Sequence, residues 1–153
     1  MLKEGDKAPE VKLDLPDGSA TSVTEQASKI LVLYFYPKDD TPGCTTEAQS
    51  FTALADDFAR AGATIIGVSK DSAARHKKFI DKYGLKIALA SDNDGAVCEA
   101  FGTWIEKSLY GRQYMGIDRA TFLIGKDGRI AKIWRKVKVK GHAEAVLAAA
   151  QAL

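Results

Sequence analysis

The sequence predicts an α/β fold, a mixed sheet flanked by helices, and three observations predict it. One unbroken apolar run, Ile30 to Tyr36, and a second, mostly apolar segment, Ala63 to Val68, are short and bounded by breakers. Runs of that kind mark strands buried on both faces. Each is followed by a segment with helical apolar spacing, which points to parallel strands joined by helical crossovers. The chain then finishes in a hairpin and a helix, so the sheet is expected to be mixed. With 153 residues and no repeat or linker, one domain over 1–153 is expected.

The elements follow in order. Val11 to Leu15 alternates apolar and polar residues, and Pro16-Asp17-Gly18 supplies a turn toward a short strand at Thr21 to Val23. Ile30 to Tyr36 is the central strand, ended by Pro37. A helix is expected to start close to Cys44, with Phe51, Leu54, Ala55 and Phe58 on one face and Gly62 as its stop. Ala63 to Val68 is the second buried strand. Asp71 and Ser72 can cap a helix that runs to Tyr83 before Gly84. A strand at Ile87 to Ala90 precedes a short helix from Gly95 to Phe101. Thr103 to Ile117 has no clear period and reads as a long loop. Ala120 to Ile124, the turn Lys126-Asp127-Gly128 and Arg129 to Arg135 form a hairpin, and a last helix runs from His142 to the end.

Composition narrows the function. The formal net charge of +2 is too small to argue for a nucleic-acid partner. In the basic stretch Arg135 to Lys140, Lys136, Lys138 and Lys140 alternate with valines. A nucleic-acid stripe is one reading of it, but a solvated strand or strand extension guarded by lysines is preferred. No segment approaches the roughly 20 apolar residues of a membrane helix, and Met1 to Glu10 holds no signal-like run. A cytoplasmic location is expected, where two cysteines are chemical or inert rather than a structural bridge. No long apolar surface stripe is evident, so a monomer is expected.

The segment Tyr36-Pro37-Lys38-Asp39-Asp40-Thr41-Pro42-Gly43-Cys44 lies between a buried strand and an amphipathic helix. Cys44 therefore falls in the first turn of that helix, where unpaired N–H groups and the helix dipole favour an anion. Free thiols ionise near about 8.5, and helix N-termini with nearby cations can lower that to about 3.5–7.5. An isolated cysteine is usually a small buried hydrophobe. The charged neighbours from Lys38 to Thr41 argue against deep burial here, and Pro37 and Pro42 stiffen the loop. The Thr41 hydroxyl could bond the thiolate or an incoming oxygen. Position 47 is Glu47, so there is no C-x-x-C motif, and Cys44, Cys98, His76 and His142 are too scattered for a metal site. These residues give an activated thiol without naming its substrate.

The spacing Pro37-x-x-x-Thr41-x-x-Cys44 resembles the peroxiredoxin active-site signature, and FYPKDDTPGCTTE resembles its Q-type, or bacterioferritin comigratory, branch. The resemblance covers nearly the whole chain, through GDKAPEVKL, GVSKDS, SDNDGAVCEAFG, IDRATFLIGKDGRI and VKVKGHAEAVL. It implies a thioredoxin-like fold and reduction of hydrogen peroxide and organic hydroperoxides without metal, flavin or other cofactor. It makes Cys44 the peroxidatic nucleophile, Thr41 the hydroxyl that holds the peroxide, Pro37 the shield of the sulfur and Arg119 the active-site arginine. Glu47, one turn after Cys44, could orient Arg119.

The chain departs from that pattern in its resolving cysteine. Many Q-type enzymes carry one five residues after the peroxidatic position, where this chain has Gln49, and Ser72 to Tyr83 holds none either. Cys98 is left, and it reads as a packed helix cysteine. One-cysteine recycling by thioredoxin, glutaredoxin or glutathione is therefore expected. The competing reading is a thioredoxin-like binding or chaperone module that does not use its thiol.

Overall fold

The computed structural model describes residues 1–26 and 28–153. A seven-stranded sheet contains β1 (Lys12–Asp14), β2 (Ala20–Ser22), β3 (Ile30–Phe35), β4 (Ala63–Ser69), β5 (Ala88–Ser91), β8 (Ala120–Ile124) and β9 (Ile130–Trp134). Its order is β2-β1-β5-β4-β3-β8-β9. β3, β4 and β5 run parallel, while β8 and β1 pair antiparallel with β3 and β5. The helices are α1 (Pro42–Ala53), α2 (Ala55–Arg60), α3 (Ala73–Tyr83), α4 (Ala96–Ala100) and α5 (His142–Gln151).

The central strand divides the interior. Along β3, side chains alternate between faces because the strand period is two. Ile30, Val32, Tyr34 and the following Tyr36 join Cys44, Ala48 and Phe51 of α1, Phe58 of α2, Phe79 of α3 and Val146 of α5. Leu31, Leu33 and Phe35 join Val97, Cys98 and Phe101 on the other face. Both cysteines are buried and unpaired, and the sheet lies between them.

Helix ends follow their sequence signals. Ser72 caps α3, its side chain accepting from Arg75 N at 3.2 Å, and Gly84 ends it in a left-handed conformation. Asp92 caps α4 instead, its carboxylate accepting from Val97 N at 3.0 Å and Cys98 N at 2.8 Å.

The structure corrects three expectations. Thr103 to Ile117 is not a loop, since β6 (Trp104–Leu109) and β7 (Arg112–Ile117) form a separate antiparallel hairpin. Its two-residue turn, Tyr110-Gly111, has positive φ at both positions, 51° and 77°. That geometry matches strand twist, but Tyr at the first position hides it, and the half-exposed strands do not alternate cleanly. The apolar stripe from Phe51 to Phe58 does not lie on one helix, because Leu54 leaves helical geometry at φ −102°, ψ 8° and separates α1 from α2. Finally, Arg135 to Lys140 is no strand. Lys136 turns the chain at φ 48°, and the segment is tied beneath the site by Lys136 N to Asp118 Oδ1 and Val137 N to the Arg119 carbonyl.

Candidate active site

The site forms where the carboxyl end of β3 meets the start of α1. Thr41 is the N-cap residue in extended geometry and Pro42 the first helical residue, which places Cys44 third in α1. Proline suits that first position because it has no N–H to leave unsatisfied. Among the described residues no side chain caps this helix start, so first-turn N–H groups are left to meet an anion at the end of the helix that carries Cys44. Cys44 is only 2% exposed, against the expectation drawn from the charged segment Lys38 to Thr41, because it packs with Ala48 and Phe51 against Tyr34 and Tyr36.

Arg119 arrives from the residue before β8, and its guanidinium makes a fork. Nη2 donates to Cys44 Sγ at 3.4 Å and Nη1 to Glu47 Oε1 at 2.7 Å. Gly43 permits this approach, since a Cβ there would lie 3.1 Å from Arg119 Nη2. Local pattern carries no sign of that role for Gly43, because its partner is distant along the chain.

Glu47 is the unusual group. It is 1% exposed, and its second oxygen, Oε2, has no partner among the described residues. Burial pushes its carboxyl up to about 7, against the opposing pull of Arg119. Two potential anions, Cys44 and Glu47, thus share one guanidinium. Arg119 is itself held above its usual range: burial opposes its charge, but Glu47 and Cys44 outweigh burial. His142, which shares a 2.7 Å hydrogen bond with Thr121 Oγ1, is pushed down to about 4 by burial and by Arg119.

A stability prediction follows from Glu47. Between about pH 4.5 and 7 the unfolded chain releases this proton while the folded chain keeps it. The native state then binds more protons, so stability falls as pH rises through that window. His142 acts in the opposite sense, losing stability as pH falls from 6.5 toward 4. Glu47→Gln keeps an acceptor for Arg119 and removes the titration. Its stability relative to the parent chain should therefore climb across the window in denaturant melts, with the His142 contribution cancelling. A constant difference would mean that Glu47 is ionised throughout.

The loop before Cys44 is anchored from below. Asp39 is buried, against the expectation drawn from its charged neighbours, because its carboxylate is satisfied. Tyr36 OH donates to Oδ1 at 2.5 Å and His76 Nδ1 lies 2.7 Å from Oδ2. The other ring nitrogen of His76 faces the Ala90 carbonyl at 3.1 Å. Asp39 N donates to Asp71. This network fixes the span between Pro37 and Thr41, and its partners His76 and Asp71 lie too far along the chain for local pattern to reveal them.

The remaining expected residues lie as follows. The Thr41 hydroxyl donates to the Lys38 carbonyl at 2.8 Å, which leaves its oxygen free to accept. Pro37 is exposed and lines a cavity beside the hairpin. Cys98 is fully buried, and burial with Asp92 pushes its thiol up to about 12.

The AhpC/TSA family model matches residues 4–133. Peroxiredoxin Bcp of Xanthomonas campestris is 50% identical over 143 residues, covering 94% of this chain and 89% of that protein. Peroxiredoxin Bcp of Bacillus subtilis is 48% identical, covering 92% and 90%. Among solved structures, Xanthomonas campestris peroxiredoxin Q superposes with a TM-score of 0.89 at 51% identity, covering 93% of this chain and 90% of the other. Xylella fastidiosa PrxQ gives 0.93 at 41% identity, covering 99% and 97%.

Proposed function

Because the chain belongs to the AhpC/TSA family, with a thioredoxin-like fold and the activity of a thiol peroxidase, we propose that Cys44 is the nucleophile that attacks the peroxide. The observation that carries this is the Arg119 fork, which holds a cation 3.4 Å from a sulfur in the first turn of α1. One domain over 1–153 carries the whole site.

The steps follow from the geometry. The Cys44 thiolate attacks one peroxide oxygen, a sulfur–oxygen bond forms and the O–O bond breaks. The departing oxygen leaves with the electron pair and takes a proton. Negative charge grows on that oxygen, where Arg119 and the free N–H groups of α1 can meet it. Thr41 accepts a hydrogen bond from the peroxide O–H, because its own proton is committed to Lys38. Pro37 shields the sulfur from bulk water. Glu47 acts through Arg119, which it orients. A Xanthomonas campestris structure is described in terms of alkyl peroxide reduction. We extend that class, with hydrogen peroxide, to this chain as an antioxidant activity of the cytoplasm. No helix among the described residues is long and apolar enough to cross a membrane.

Recycling proceeds with one cysteine and an external thiol, such as glutathione with glutaredoxin, or thioredoxin. The support is the sheet between Cys44 and Cys98, which pack in opposite cores. A disulfide needs Cα atoms within about 7 Å, so both packed helices would have to open. The chain works as a monomer. Peroxide-treated protein is expected to show a Cys44 sulfenic acid or mixed disulfide by mass spectrometry. Cys98→Ser is expected to keep most of its turnover with an external thiol. A rapid Cys44–Cys98 disulfide, together with loss of turnover in that variant, would refute one-cysteine recycling.

A further inference from the structure

Beside the active site lies a cavity of about 380 Å³ between the β6–β7 hairpin and the loop at Pro37. Its lining includes Lys38, Lys70 and Lys107 and, among the described residues, no acidic one. Trp104 and Tyr114 give it an apolar floor. Lys70 Nζ sits 4.3 Å from the centre of the Trp104 ring, so one ammonium is already held over that floor.

Lys107 is built into the wall rather than waving in solvent. Its side chain crosses Gly116, where an added Cβ would lie 3.3 Å from Lys107 Cδ. Tyr114 is its cross-strand partner. The ammonium is partly buried and senses burial first, then Asp118, Arg119 and Cys44. Hydrogen peroxide needs no trough of this size, and an uncharged alkyl peroxide needs no lysines around it. The oxidised sulfur, however, must next meet a thiol, and the other cysteine of the chain lies across the sheet.

We propose that the trough walled by Lys38, Lys70 and Lys107 seats a small thiol that carries carboxylates and delivers its sulfur to oxidised Cys44. The proposal rests on the one-cysteine reading above. The bound thiolate attacks the Cys44 sulfenic sulfur, an S–S bond forms and the S–O bond breaks. The hydroxide leaves as water with one proton. A second thiol then attacks the mixed disulfide, which frees the Cys44 thiol and carries away the oxidised reductant. Three lysines around one trough raise the local concentration of an anionic thiol, and salt weakens that attraction.

The test uses the full chain oxidised with one equivalent of hydrogen peroxide. It is then mixed with glutathione, an acidic thiol, or with 2-mercaptoethanol, an uncharged one, and mixed-disulfide formation is timed. The readout is the ratio of the two rates, which cancels differences in how reactive the oxidised sulfur is. In Lys107→Gln the ratio should fall about tenfold, the low end of what electrostatic steering covers. Lys107→Arg should restore most of it, and added salt should shrink it in the parent chain. An unchanged ratio in both Lys107→Gln and the Lys70→Gln/Lys107→Gln double variant overturns the seat but leaves one-cysteine recycling standing. So does a loss confined to carboxylate-bearing hydroperoxides, which would make the trough a peroxide subsite. A Cys44–Cys98 disulfide forming ahead of any mixed disulfide overturns the recycling reading and the seat together.

Discussion

Cys44→Ser is expected to abolish peroxide consumption while leaving the fold intact. The substitution changes one atom at a site where Cys44 is buried in the third position of α1. A serine hydroxyl there stays protonated, and it cannot cycle through a sulfenic acid. The packing of Ala48 and Phe51 against Tyr34 does not depend on the sulfur, so the melting transition should move little. The measurement is consumption of hydrogen peroxide with an external thiol in excess, alongside a denaturant melt. Substantial turnover in the folded variant would show that another group carries the chemistry. The only other thiol is Cys98, which is fully buried and pushed up to about 12 by burial and Asp92. That group is a poor nucleophile near neutral pH. The same result would separate the enzyme from a binding module on this fold, since a module that ignored its thiol would lose nothing.

The fold and the site were legible in the sequence to different depths. Strand β3 announces itself as an unbroken apolar run because both its faces are covered, and β4 as a mostly apolar segment interrupted by Thr64 and Gly67. The start of α1 was readable from Pro42 and from the breakers around it. Helical spacing alone puts Glu47 one turn after Cys44. Other features depend on partners far away in the chain, and local pattern cannot reveal them. Asp39 reads as a solvated loop charge until His76, 37 positions later, satisfies it in the interior. The β6–β7 hairpin has a mixed exposure pattern and a tyrosine in its turn, so neither strand nor turn chemistry stands out. The break at Leu54 interrupts an apolar spacing that continues across it, and spacing carries no record of backbone angle. Gly43 is explained only by the guanidinium above it.

Arg119→Ala is expected to slow formation of the Cys44 sulfenic acid by ~10²–10³, the usual cost of removing one preorganised donor from developing negative charge. Arg119 Nη2 stands 3.4 Å from the sulfur, beside the place where the departing oxygen gains charge, which is a transition-state effect. Rapid-quench trapping of the sulfenic acid should therefore show the deficit in the chemical step itself. A rate equal to that of the parent chain would show that Arg119 does not meet that charge. Glu47 supplies a control on the same argument. Without Arg119 its buried carboxyl loses the one partner that favours its charge, so in the variant it should hold its proton to higher pH. Arg119→Lys keeps a cation but not the planar fork that reaches Glu47 and Cys44 together. Its rate should fall between the parent and the alanine variant. A lysine variant as slow as alanine would mean that the two-pronged geometry, and not the charge, is what the reaction requires.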